Sequence, residues 1–192
     1  MTDLAIVIIP TIVTLLAGYL GYRYGLAHLR REKYYEFLEK QLKEFYSPML
    51  GYIEEIKAKS NVRYEIFKAS NPAWKKIVSE HPVTFLDSDK YFEPFKRQIF
   101  YDNKQLREEL IPLYRRMCKV FSKNIGIVNQ STRKWYYELT RFVEIWERWL
   151  AESIPTEVIK EIEHNEERLF PFYKDLDNNM NELLRKLASK KK

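Results

Sequence analysis

The chain has 192 residues, room for one domain of ordinary size plus an appendage, and its 45% hydrophobic and 31% charged content excludes a disordered polymer. Five glycines argue against a turn-rich all-β fold, and the single cysteine, Cys118, excludes an internal disulfide. The net charge of +6 is unevenly spread: residues 23–33 carry +3, the tail 185–192 carries +5 and the remainder −2. A near-neutral body lacks the basic face of a nucleic-acid binder, so no nucleic-acid partner is expected.

The first element runs from Leu4 to Tyr24 and holds no charged residue before Arg23. Twenty-one helical residues cover about 31 Å, close to the hydrocarbon thickness of a bilayer. Tyr19, Tyr22 and Tyr24 gather at its far end, where an aromatic belt would lie. A cleaved signal is disfavoured, because Met-Thr-Asp is not basic and no Ala-x-Ala site follows. A buried core helix is disfavoured too, because the stretch is apolar all round. The reading is a retained transmembrane helix. Asp3 precedes it and Arg23, Arg30, Arg31 and Lys33 follow, so the positive-inside rule places the body in the cytoplasm and the N-terminus outside. Ala17, Gly21 and Gly25 recur every four residues, a spacing that lets two spans approach closely, so a homo-oligomer is one option and ordinary span residues the other.

Beyond the span, apolar residues return at steps of three and four, the signature of helical stripes. One runs Leu38, Leu42, Phe45, Met49, Ile53 and Ile56, with Ser47 and Pro48 marking either a kink or a restart. Residues 70–91 hold two prolines and no clean stripe, and read as a loop with a short helix. A second stripe runs Leu106, Leu110, Leu113, Met117 and Val120, with Asp102 as an N-cap candidate. Gly126 supplies a stop before a third stripe of Trp135, Leu139, Phe142, Trp146 and Trp149. Pro155 opens a fourth, Val158, Ile162, Leu169, Phe172, Leu176, Met180, Leu183 and Leu187. Long helices and short connectors favour an antiparallel bundle.

One internal echo stands out. "EELIPLYRRM" and "EERLFPFYKDL" both place an acidic pair ahead of apolar-Pro-apolar-Tyr. Pro112 and Pro171 would bend their helices, either opening a pocket between them or merely shaping the packing.

Candidate chemistry is sparse. Glu161 and His164 have the Glu-x-x-His spacing of metal-binding bundles, with Glu167 beyond, but such sites need a second copy that neither His28 nor His81 supplies. The ordinary alternative is a solvated helix face. Cys118 has no histidine near it in sequence to act as base, so it reads as a small buried hydrophobe. Trp135, Tyr136, Tyr137, Trp146 and Trp149 read as core packing ahead of a stacking platform. No phosphate loop, nucleophile elbow or Cys-x-x-Cys is present, and no cofactor is expected.

The runs "FVEIWERWLAESIPTEV", "EERLFPFYKDL" and "KQLKEFYSPML" resemble a loosely defined group of prokaryotic membrane-anchored helical proteins of unknown function. That resemblance implies an anchor and a helical domain, and no activity. The general plan is also similar to that of LemA-like proteins, whose motifs are not visible here. The expected architecture is all-α: an anchor (1–25), a cytoplasmic antiparallel bundle (26–188) and a basic tail (189–192). The expected function is a non-enzymatic, single-pass membrane protein that acts as a protein-interaction, scaffold or accessory module. The alternative is a tethered metal protein or enzyme centred on Glu161, His164 and Glu167.

Overall fold

The computed structural model describes the backbone of residues 2–80, 88–162 and 164–191, and side chains from Leu15 onward apart from 80–91, 156, 160, 163, 191 and 192. Every regular element among the described residues is helical. Helix α1 (Thr2–Gln41) continues through a five-residue π-helical turn, Leu42–Tyr46, into α2 (Ser47–Glu80) without a break. At 1.5 Å per residue this rod is about 118 Å long. Helix α3 (Ser88–Gln105) likewise passes through a π turn, Leu106–Leu110, into α4 (Ile111–Asn124). A connector then leads to the short α5 (Gln130–Arg133) and to α6 (Trp135–Leu150). Helix α7 (Thr156–Glu161), a 3-10 turn (Glu166–Leu169) and α8 (Phe170–Ala188) complete the body. No helix among the described residues is long and apolar enough to cross a membrane. The side chains of residues 4–14, more than half of the stretch read as a span, lie outside the described residues.

The π turns answer the proline question. A proline offers no N–H and its ring crowds the carbonyl four residues back. Pro48 and Pro112 each stand two residues beyond a π turn, where the Ser47 amide donates to Leu42 and the Ile111 amide to Leu106. Widening the helix by one residue accommodates the ring without breaking the rod. Neither a restart at Ser47 nor a sharp kink is needed. Glu44, the residue four before Pro48, instead receives the Asn124 side-chain amide on its carbonyl at 2.9 Å. The inserted residue also rotates the stripe. Gln41 is buried at 4% exposure, and Leu42, its expected neighbour in the stripe, is only half-buried.

Contacts fix the bundle's sense. Asn124 lies by Glu44 and Glu109 by Lys59, so α4 runs antiparallel to the rod. Arg115 of α4 pairs with Glu147 of α6, and Phe121 packs on Tyr136. Thr132 meets Asp175 and Arg168 meets Glu138, which sets α8 antiparallel to α6. The result is an up-down-up-down bundle of the rod, α4, α6 and α8. Its core stacks Phe45, Met49, Ile53 and Ile56 on Leu113, Met117, Phe121, Leu139, Phe142, Phe172 and Leu176. Each such side chain contributes about 1.5–3 kcal/mol of burial.

Two expectations are corrected. Residues 70–80 and 88–91 are helical, with Pro72 inside α2 and Pro94 inside α3. The two helices form a projecting hairpin in which Trp74 meets Phe92 and Phe95 at ring-centroid distances of 5.2 Å. Residues 81–87 lie outside the described residues. Asp102 is no N-cap, because α3 runs straight through it, and its carboxylate stands 3.8 Å from Arg63 instead.

Candidate functional site

The internal echo is a contact. Tyr114 and Tyr173, the matched tyrosines of the two "P-apolar-Tyr" segments, come together with hydroxyls 3.3 Å apart. Both donate to the same carboxylate oxygen of Glu166, at 2.8 and 3.2 Å. Burial and the adjacent carboxylate push both phenols well above the ordinary tyrosine range, so they stay protonated donors. Neither proline stands as a kink in mid-helix: the π turn before Pro112 takes up its ring, and Pro171 sits in the first turn of α8. The echo is a clasp between α4 and α8. One turn beyond Tyr114, burial pushes the Cys118 thiol up to about 11, away from the thiolate form a nucleophile needs.

A second polar cluster ties the 124–133 connector to the rod and to α8. Thr132 Oγ1 donates to Asp175 at 2.6 Å and receives the Asn179 amide at 3.3 Å, while Tyr46 approaches the same oxygen at 3.4 Å. Gln41 donates to the Ile127 carbonyl and Asn129 donates to Asn179. The groups are mutually satisfied, which gives them a structural role.

The structure does not bring Glu161, His164 and Glu167 together. Sharing a face at three-residue spacing requires an unbroken helix. Helix α7 ends at Glu161, and Asn165 is extended at φ −138° and ψ 161° before the 3-10 turn. Glu161 and Glu167 face solvent while His164 turns inward, so the three do not converge. Among the described residues no three His, Cys, Asp or Glu side chains form a metal-holding group. His164 is not on a solvated face either. Its ring lies 4.7 Å from Phe142 and 5.2 Å from Trp146, and neither ring nitrogen finds a partner among the described residues. Burial first, then Arg141 and Arg168, push its pKa down to about 4. Trp135, Tyr136, Trp146 and Trp149 pack on the core as expected, whereas Tyr137 is exposed.

Three surfaces remain. The hairpin carries a groove of about 190 Å³ lined by Phe67, Ser70, Asn71, Trp74, Phe95 and Ile99 among others. At the bundle's far end an open cleft of about 640 Å³ lies between Arg107 and the 150–155 connector. Glu152 adopts φ 56° there, and the Glu152 and Ser153 amides donate to Trp149 and Arg148 in a helix-ending motif that ordinarily takes glycine. The third surface is α1 itself. Leu15, Leu16, Tyr19, Leu20, Tyr22 and Tyr24 are exposed, and burial against the bundle begins only at Tyr35. Ala17, Gly21 and Gly25 share this free region, and a Cβ on either glycine would meet open space. Arg23, Arg30, Arg31 and Lys33 lie along the same exposed segment. No family model, curated protein or solved structure matches the chain.

Proposed function

We propose that the chain is a membrane-anchored interaction module, its N-terminal helix held in a bilayer and its bundle and hairpin presented in the cytoplasm. The observation that carries this reading is the exposed apolar length of α1, from Leu15 to Tyr24, which no other helix covers among the described residues. Such a surface is costly in water and favourable in lipid. The sequence extends it back to Leu4, and Arg23, Arg30, Arg31 and Lys33 follow on the side that the positive-inside rule assigns to the cytoplasm. About 16 Å of helix then separates Tyr24 from Tyr35, the first side chain buried in the bundle. A binding role, as scaffold or accessory subunit, fits the apolar groove between Trp74, Phe92 and Phe95, whose dimensions suit side chains of a partner helix. Two measurements test the anchor. The full chain should stay in the membrane fraction after alkaline carbonate extraction, and a reporter joined after Lys192 should report a cytoplasmic location. Release by carbonate removes the anchor, and an external reporter signal reverses the orientation.

A further inference from the structure

The segment of α1 that follows the apolar stretch and the end of α8 both carry excess positive charge, and the fold brings them to one place. Residues 23–43 and 181–192 together hold eleven basic and four acidic side chains, against a net charge of −1 for the rest of the protein. Helix α8 returns alongside α1, so Lys190 Nζ stands 3.3 Å from Glu39 and 5.3 Å from the centre of the Tyr35 ring. Arg31 lies over the same ring, its guanidinium carbon 5.7 Å from the centre. Cations from positions far apart in the sequence thus share one aromatic seat.

The acids present there are already engaged. Glu32 faces His28 at 3.8 Å, Glu36 holds Lys33 at 2.6 Å, Glu39 holds Lys190, and Glu182 holds Lys186 at 2.5 Å. Arg23, Arg30, Arg31, Lys40, Lys43 and Arg185 have no carboxylate partner among the described residues. We propose that this collar around the base of α1 binds anionic phospholipid head groups, Arg23, Arg30 and Arg31 first, and so draws the lower end of the bundle toward the membrane surface. The proposal rests on the anchor reading above and names the lipid chemistry it prefers.

Distance and direction support that choice of polyanion. Arg30 and Arg31 follow Tyr24 by six and seven residues, about 9–10 Å along the helix, just beyond a head-group layer of roughly 5–8 Å. That gap is within about one Debye length at physiological salt, so attraction persists. The collar also looks back along the exposed Leu15, Leu16 and Leu20, a surface that hydrocarbon covers and a nucleic acid does not. Arginine suits the task because its planar fork grips phosphate oxygens in pairs.

The test reconstitutes the full chain into nanodiscs of phosphatidylcholine alone or with phosphatidylglycerol added, and reads amide hydrogen exchange. Exchange at residues 26–40 and 181–190 should slow several-fold in the anionic discs, and high salt should remove the difference. The combined variant Arg30→Gln, Arg31→Gln and Arg185→Gln should lose the slowing while exchange around Phe121 and Phe172 stays unchanged. Equal exchange in both discs overturns the collar and leaves the anchor standing, as does a variant that keeps the slowing. A chain that joins only anionic discs and washes off in salt supports the collar and removes the anchor. One that joins neither removes both. Slowing of the same size on adding RNA to phosphatidylcholine discs overturns the lipid assignment.

Discussion

Between Ser47 and Ile56, α2 buries Met49, Ile53 and Ile56 against α4 and α8; between Val62 and Val78 the same helix leaves Val62, Tyr64, Ile66 and Phe67 exposed and meets α3 through Trp74. Backbone and helix type are identical in the two halves, so neither intrinsic propensity nor helical geometry separates them. What differs is the number of neighbours: two helices, α4 and α8, enclose the first half, and a single antiparallel helix leans on the second. A two-helix hairpin cannot cover its own apolar surface, which leaves a groove where a bundle would have a core. The same contrast shapes the polar groups. Inside the bundle they form closed clusters, Tyr114–Glu166–Tyr173 and Tyr46–Thr132–Asp175–Asn179, whereas on the hairpin Arg63 faces Asp102 at a solvent-lined 3.8 Å.

Deleting one ring from each half separates bundle from hairpin by the largest effect. Phe121→Ala, a fully buried ring between Phe45 and Phe172, is expected to lower unfolding free energy by about 3–5 kcal/mol in chemical denaturation of the detergent-solubilised chain. Trp74→Ala should leave the global transition in place and speed hydrogen exchange at residues 60–78 and 92–104. A global loss as large as that of Phe121→Ala would show that hairpin and bundle fold as one unit.

Acid should act on the bundle through His164. Its folded pKa of about 4 lies below the ordinary 6.5, so the folded protein prefers the neutral ring. That contribution is whole above pH 6.5 and is lost as pH falls from 6.5 toward 4. We expect up to about 3 kcal/mol of destabilisation over this window, removed in His164→Phe. An unchanged pH profile in His164→Phe would mean that the ring is not the titrating group.

Smaller effects sharpen the picture further. Asn124→Ala strips the donor from the Glu44 carbonyl behind Pro48 and should cost about 1–2 kcal/mol, read as a shifted denaturation midpoint. Glu152→Gly removes a side chain from a left-handed position and should stabilise by about 0.5–1 kcal/mol in the same measurement. Phe100→Ser, at a position 72% exposed on the hairpin, should change stability by less than about 0.5 kcal/mol. A larger loss there would reveal a hidden contact on that face.

The bundle was legible because its stripes are long and regular. Leu38 to Ile56, Leu106 to Met117 and Leu169 to Leu187 needed only periodicity to be read as buried helix faces. The hairpin was missed although Phe67, Asn71, Trp74 and Val78 keep helical spacing, and Phe92, Phe95 and Ile99 do so too. Pro72 and Pro82 outweigh that rhythm in the sequence, since a proline's local cost is plain and its tertiary compensation is not. For the same reason the π turns were invisible: an inserted residue costs nothing detectable in composition, yet it buries Gln41 ahead of Leu42. His164 was placed on the wrong surface because the end of α7 at Glu161 carries no glycine or proline to announce it. The echo of Pro112 and Pro171 was seen, but its meaning lay in Tyr114 and Tyr173, whose shared acceptor, Glu166, only the fold supplies.

The unbroken rod from Thr2 to Glu80 also acts as a ruler. Phe67 and Trp74 lie 43 and 50 residues beyond Tyr24, which on the membrane reading holds the hairpin groove about 65–75 Å from the bilayer edge when the rod stands upright. The bundle sits on the lower part of that rod as a fixed collar of mass, so the height is set by helix length and not by a flexible tether. A short segment lying at the membrane surface cannot reach the groove. On that membrane reading, a partner docking there would have to stand tall from its own anchor or come from the interior of the cell.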